Sequence, residues 1–315
     1  MLLAAEYSPW FVRGLAFVFG AIWGSFFNVA IYRWPREMSV ITPPSHCPSC
    51  GAKVRAWHNV PIVGYLALGG KAACCGAKLS SRYLWIELLS AVLCVAVSER
   101  FIVHADETAT IGSAALEAMI YFLFVGGLVI ATFVDLESMQ IPDEVSLPGA
   151  ALGLATVAWR AAPGADAAAL GAGLGFLIVQ VPFVWGYEAL LGRRGMGEGD
   201  SKLLMMIGAF VGWKGVVFSL FAGALQGLVA AGILVLMGRK LRPETPDASG
   251  PEDNAIEEGG VVEQSLQPTS QPPMHEAEGF GRMKMPFGPF LALGALEFLF
   301  FAEGWLDAYV ALLRG

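Results

Sequence analysis

Charge is scarce in this chain. Asp, Glu, Lys and Arg make up 15% of its 315 residues, against about a quarter in an average soluble protein. Hydrophobic residues make up 56%, and the mean hydropathy is +0.59. A water-soluble fold cannot hide that much apolar surface, so the composition excludes an ordinary soluble enzyme and predicts a polytopic membrane protein. The sequence has no basic recognition face and no nucleic-acid motif, so nucleic acid is excluded as a partner. It also lacks a strand, glycine loop and helix in succession, which removes the dinucleotide and phosphate-loop fingerprints. No internal repeat is visible. The first apolar run has neither a basic leading region nor a small-residue cleavage site, and it reads as a retained span.

What the chain does have is long apolar runs. Taking about 20 apolar residues per crossing, eight spans are expected, at about 10–32, 83–103, 114–136, 145–160, 168–191, 201–213, 215–237 and 287–311. The expected class is all-α, with a small Cys-containing loop on the cytoplasmic side. Basic residues set the orientation. Arg33, Arg36, Lys53, Arg55, Lys71, Lys78 and Arg82 follow the first span, Arg193 and Arg194 precede the sixth, and Arg239, Lys240 and Arg242 follow the seventh. Those loops are placed in the cytoplasm and both termini outside. The division is a first span over 1–33, the Cys-containing loop over 34–82, a helical core over 83–237, an acidic loop over 238–285 and a last span over 286–315. Residues 243–281 are polar, acidic and aperiodic, too poor in apolar side chains to offset the entropy of ordering.

Against this background two acids stand out, because a carboxylate beside hydrocarbon is costly unless it is paired, solvated or used. Asp200 follows Gly195-Met196-Gly197-Glu198-Gly199 and opens an apolar helix. Asp135 closes another apolar run in Val134-Asp135-Leu136. The topology puts both at the cytoplasmic edge. Two carboxylates sharing a site can divide the work of base and acid needed to add water to a peptide carbonyl. The blander reading makes Asp200 a helix cap and Asp135 an edge residue. Asp143, after Ile141-Pro142, is expected to cap the next span. Glu137 is expected to be solvated. Glu87, inside the second span, calls for a buried partner or a polar cavity.

Cys47-Pro48-Ser49-Cys50 is a Cys-x-x-Cys pair in a reducing compartment, where such pairs point to zinc rather than to a disulfide. A tetrahedral site needs four ligands. Cys94 falls within a span and reads as packing. The loop's basic residues and Trp57 suit anionic lipid headgroups or a substrate tail.

The chain resembles the bacterial type IV prepilin peptidases, membrane aspartic proteases of the Gly-x-Gly-Asp kind. The resemblance rests on Gly24-Ser25-Phe26-Phe27-Asn28-Val29 with Ile31-Tyr32-Arg33, Cys47-Pro48-Ser49-Cys50-Gly51, and Val134-Asp135-Leu136 with Ile141-Pro142-Asp143. Gly195 to Leu203, Ser81-Arg82-Tyr83 with Glu87, and Pro286-Phe287-Gly288-Pro289-Phe290 complete it.

The resemblance implies an inner-membrane endopeptidase that removes the leader of prepilins and pseudopilins, with Asp135 and Asp200 as the catalytic pair. For many members it also implies N-methylation of the new terminus with S-adenosylmethionine. No residue here shows that second activity. The family's second Cys-x-x-Cys begins where this chain has Ala72, and Cys75 takes its other place. Zinc is therefore expected on Cys47, Cys50 and Cys75, with Cys74 as fourth ligand, or with His46 or His58 completing the site. The competing reading is a proton-coupled transporter, which needs acids near the midplane and repeated halves. A third, a secretion scaffold, needs neither acid.

Overall fold

The structure is a computed structural model and describes residues 3, 6–42, 45–47, 49–192, 195–237 and 286–302. The chain divides into two compact units, Met1–Val229 with Pro286–Gly315, and Ala230–Met285. The second is described only at 230–237, where a long helix ends, and the acidic segment 243–281 lies outside the described residues. The described residues of the first unit are helices and loops, with three isolated β-bridges and no extended strand.

Nine α-helices are described: α1 (Pro9–Arg33), α2 (Val63–Ala67), α3 (Arg82–Ser98), α4 (Ile111–Ser138), α5 (Asp143–Ala155), α6 (Ala165–Val179), α7 (Tyr187–Leu191), α8 (Glu198–Leu236) and α9 (Gly288–Glu297). Four described stretches are long and apolar enough to cross a membrane: Pro9–Arg36, Ile111–Ser138, Ala165–Leu191 and Glu198–Leu236. The elements at 82–103, 143–155 and 288–302 fall where further spans were expected but are shorter as α-helix. Two of them finish or continue as π-helical turns, Glu99–Val103 and Phe298–Ala302.

Small residues bring the helices together. Along α1, Gly20 lies against Ser90 and Ala91, and Gly24 against Glu87 and Ser90, so the two backbones approach closely where a side chain would hold them apart. Asn28 Nδ2 donates to the Tyr83 carbonyl at one end of the pair, and Arg13 bonds Glu99 at 2.7 Å at the other. These contacts run in opposite sequence order, which makes α1 and α3 antiparallel. In the core, Phe124 of α4 stacks on Phe210 of α8 with ring centroids 4.4 Å apart.

Gly212 interrupts α8 with φ 71° and ψ −179°, a left-handed conformation that disfavours any residue with a side chain. Before it, Leu204 and Gly208 lie against Gly175 and Gly171 of α6. After it, Gly215 lies against Phe298, while Gly223 and Gly227 lie against Phe290. The chain therefore reverses at Gly212: α8 is two helical runs joined there, antiparallel by their packing. The expected boundary between the spans 201–213 and 215–237 falls at this reversal. Arg160 is buried and donates to the carbonyls of Gly153, Ala209 and Phe210. It thus serves the carbonyls of Ala209 and Phe210, in the last turn before the break, and that of Gly153 in the last turn of α5.

Candidate active site

Asp135 sits in the last turn of α4, which ends when Met139 turns left-handed (φ 51°) and donates its N–H to the Asp135 carbonyl at 2.9 Å. Asp200 sits in the first turn of α8, and its own N–H reaches the Gly197 carbonyl at 3.2 Å. Both side chains are buried, at 5% and 9% exposed, in a fold where most acids stay in solvent. They are close enough for the charge of Asp135 to act on Asp200. Asp135 Oδ2 also accepts the backbone N–H of Gly288, at the start of α9, at 2.9 Å.

Glycine makes this assembly possible at two points. A Cβ on Gly288 would come within 2.7 Å of Asp135 Oδ2 and 3.0 Å of the Ile141 side chain, and one on Gly199 within 2.9 Å of Ile141 Cβ. Ile141 therefore packs against the first turns of α8 and α9 at once, and each of those turns must lack a side chain on the face it presents. The arrangement offers two buried carboxylates of different helices, one of them held by a backbone donor. That is the equipment for general acid–base attack by water on a carbonyl.

Of three expectations about neighbouring acids, the one for Asp143 needs correction, and those for Glu137 and Glu87 gain a partner. Asp143 does not cap α5: the cap residue is Pro142, and the Asp143 carboxylate takes Lys202 Nζ in both its oxygens, at 2.7 and 2.6 Å. Glu137 is not simply solvated, since it pairs with Arg82, which links the end of α4 to the start of α3. Glu87, whose partner could not be named from the sequence, accepts the backbone N–H of Ile62 at 2.7 Å and a bond from Ser25. Ile62 is one of three described non-glycine residues with positive φ, at 63°. The α1–α3 pair thus holds the Cys-containing loop through a turn that is costly for a β-branched residue.

In that loop the two halves of the cysteine cluster fold alike. Cys47 donates its N–H to Ala52 O and accepts from Gly51 (φ 70°). Ala72 donates to Ala77 O and accepts from Gly76 (φ 71°). Ala72 is therefore the structural counterpart of Cys47, and Cys75 that of Cys50. The missing thiol is made good by Cys74: the sulfurs of Cys47, Cys50, Cys74 and Cys75 all lie within 4.8 Å of one another. The closest approaches are 3.3 Å for Cys50–Cys74 and 3.7 Å for Cys47–Cys75. A zinc tetrahedron with Zn–S bonds of about 2.3 Å has edges of about 3.8 Å, so the four thiols fit a zinc ion. Backbone N–H groups of Ser49 and Cys50 hold the Cys47 thiol down at about 6, whereas its hydrogen bond to Cys50 pushes Cys74 up to about 12. The cluster among the described residues consists of thiols alone, without His46 or His58. Cys94 is buried in α3, as a packing residue would be.

Two family models match the chain. Residues 18–101 match the Bacterial Peptidase A24 N-terminal domain, and residues 122–232 match the Type IV leader peptidase family. A Pseudomonas aeruginosa protein named prepilin leader peptidase/N-methyltransferase is 32% identical over 255 residues, covering 74% of this chain and 83% of its own. A Neisseria gonorrhoeae protein of the same name is 35% identical, covering 73% of this chain and 85% of its own. A third, from Myxococcus xanthus, is 30% identical across 99% of this chain and 98% of its own. No solved structure matches the chain.

Proposed function

The chain belongs to the type IV leader peptidase family, and from that premise we propose that it removes the leader peptide of type IV prepilins and pseudopilins, with Asp135 and Asp200 as its catalytic pair. The observation that carries this reading is two buried carboxylates, at the end of α4 and the start of α8, drawn to one place by Ile141, which packs against both Gly199 beside Asp200 and Gly288 on Asp135. The pair shares the proton that the reaction needs: one carboxylate takes a proton from water as it attacks the scissile carbonyl, and the other gives a proton toward the departing amine. The Gly288 N–H fixes the Asp135 carboxylate in position for this exchange.

The protein is an inner-membrane protein with eight crossings, both termini outside, and the carboxylates at the cytoplasmic edge. Supporting that count are the four long apolar stretches, the reversal at Gly212 and the antiparallel packing of α3 on α1. The substrate's apolar helix would lie in the bilayer and present its extended junction to the two acids. Membrane lipids meet the exposed apolar helix faces. Zinc, held by Cys47, Cys50, Cys74 and Cys75, would supply a structural cross-link for the loop and takes no part in hydrolysis.

The relatives' shared name extends the reading to N-methylation of the new terminus with S-adenosylmethionine. The described residues contain no strand–loop–helix cradle for that donor, and no step is assigned to them. A proton-coupled transporter is not favoured by the family relation. Incubating the purified chain with a prepilin, with and without S-adenosylmethionine, tests the proposal by intact mass. Loss of the leader is the expected result, with an added methyl group only when the donor is present. An uncleaved prepilin would overturn the peptidase reading.

A further inference from the structure

Three consecutive residues in the first turn of α8 reach in three directions. Asp200 is buried beside Gly199, which packs on Ile141 as Gly288 at Asp135 does, and Lys202 holds Asp143 of α5. Ser201, fully buried, places its Oγ 2.8 Å from Gln180 Oε1 and 2.7 Å from the Glu198 carbonyl. Gln180, itself 5% exposed, begins the seven-residue π-helical turn Gln180–Gly186 that follows α6. Pro182 lies inside that turn, where its missing N–H and fixed φ suit an interrupted helix. Such turns are uncommon, and they re-aim side chains and carbonyls that a regular helix would keep for itself.

The same turn also holds the other side of the glycine-rich stretch. The N–H of Gly195 donates to the Phe183 carbonyl at 2.9 Å, and a Cβ on Gly195 would come within 3.0 Å of the Tyr187 ring. Asp200 is thus bracketed: the chain is tied to the π-helical segment five residues before it and again one residue after it. In a regular α-helix the Phe183 carbonyl would accept the Tyr187 N–H; here that N–H reaches the Pro182 carbonyl, and the Phe183 carbonyl takes Gly195 instead.

We propose that Gln180 is a positioning residue for Asp200, acting through the Ser201 hydroxyl, and that the π-helical turn is the cradle that sets the glycine-rich stretch against Asp135. The inference rests on the peptidase reading for its kinetic consequence but not for its structural one. Ser201 has a single proton to share between Gln180 and Glu198. Removing the Gln180 amide therefore removes the side-chain tie between the first turn of α8 and the π-helical turn.

The test is Gln180→Met, which keeps the length of the side chain in an apolar setting, together with Ser201→Ala and the double variant. In each, kcat for leader removal is expected to fall about 10- to 100-fold, the range for small misplacements of a reacting group. KM should stay within about twofold, the pH profile of kcat should shift, and the double variant should be no slower than the worse single one. Hydrogen exchange of residues 195–202 should quicken in Gln180→Met, while exchange in α1 and α3 stays as in the parent chain. A Gln180→Met enzyme with unchanged kcat and unchanged exchange at 195–202 would overturn the inference. A purely structural role would instead lower the thermal midpoint and leave kcat per folded enzyme and its pH profile alone, which also counts against it. If the parent chain itself cleaves no prepilin, the peptidase reading fails, and the exchange measurement still decides whether Gln180 holds the stretch.

Discussion

The backbone N–H of Gly288 donates to Asp135 Oδ2 at 2.9 Å across 153 residues of sequence. This bond ties the start of the last helix to one of the two acids, and the absent Cβ of Gly288 is what lets α9 approach. Gly288→Ala would push a methyl to 2.7 Å from Asp135 Oδ2 and 3.0 Å from Ile141. Leader cleavage should drop by at least about tenfold, since a displacement of this size moves a reacting group off its geometry. Zinc content should not change. Measured kcat on a prepilin alongside metal analysis checks both.

Asp135→Asn and Asp200→Asn should each abolish cleavage, because Asn keeps the size of Asp but cannot exchange the proton. The double variant should be hardly worse than either single one, as expected of groups that act as a unit. Both variants should insert and accumulate normally, since a neutral amide is no costlier to bury than a carboxylate. Substantial cleavage by either single variant would defeat the pair.

Asp143→Asn should leave measurable activity. The Asp143–Lys202 pair is half exposed on the acid's side, at 52%, and pairs in that setting contribute about 0–1 kcal/mol. A loss of activity below about a tenth of the parent value with normal abundance would assign Asp143 a direct part in the reaction.

Zinc should bind at about one ion per chain, and Cys47→Ser should remove it. Because Ala72 is the counterpart of Cys47 in the second half of the cluster, the double change Ala72→Cys with Cys74→Ala should restore a four-thiol site that Cys74→Ala alone lacks. Metal analysis of the three variants checks this. Affinity should weaken as pH falls, since the thiols must give up protons to bind. Equal zinc content in Cys74→Ala and in the parent chain would remove Cys74 from the ligand set.

Residues 243–281 should be dispensable for cleavage, on the strength of their polar, acidic and aperiodic composition. Replacing them with a Gly/Ser linker long enough to join the same ends should leave kcat within about twofold, the scatter allowed to a segment that touches no reacting group. Lost activity in a normally inserted protein would show that the segment takes part.

Composition and local pattern were enough to determine the membrane class, the all-helical architecture, the two acids worth attention and the family. Each of these is a property of a short window: apolar run length, an acid beside hydrocarbon, a glycine run before a helix. The break between the spans at 201–213 and 215–237 was legible too, because Lys214 interrupts the apolar run there. Tertiary structure alone decided which groups meet. Neither the Glu87 bond to Ile62 nor the Asp143 bond to Lys202 has a local signature, since each joins residues on elements whose approach depends on helix packing. The same holds for Cys74. The sequence offered it as fourth ligand beside His46 and His58, and the folding of both halves of the loop into the same turn is what brings its sulfur to the other three. Gly288 is the clearest case. Its sequence context marks the start of a helix, whereas its part in the site comes from the packing that sets that helix start beside the end of α4.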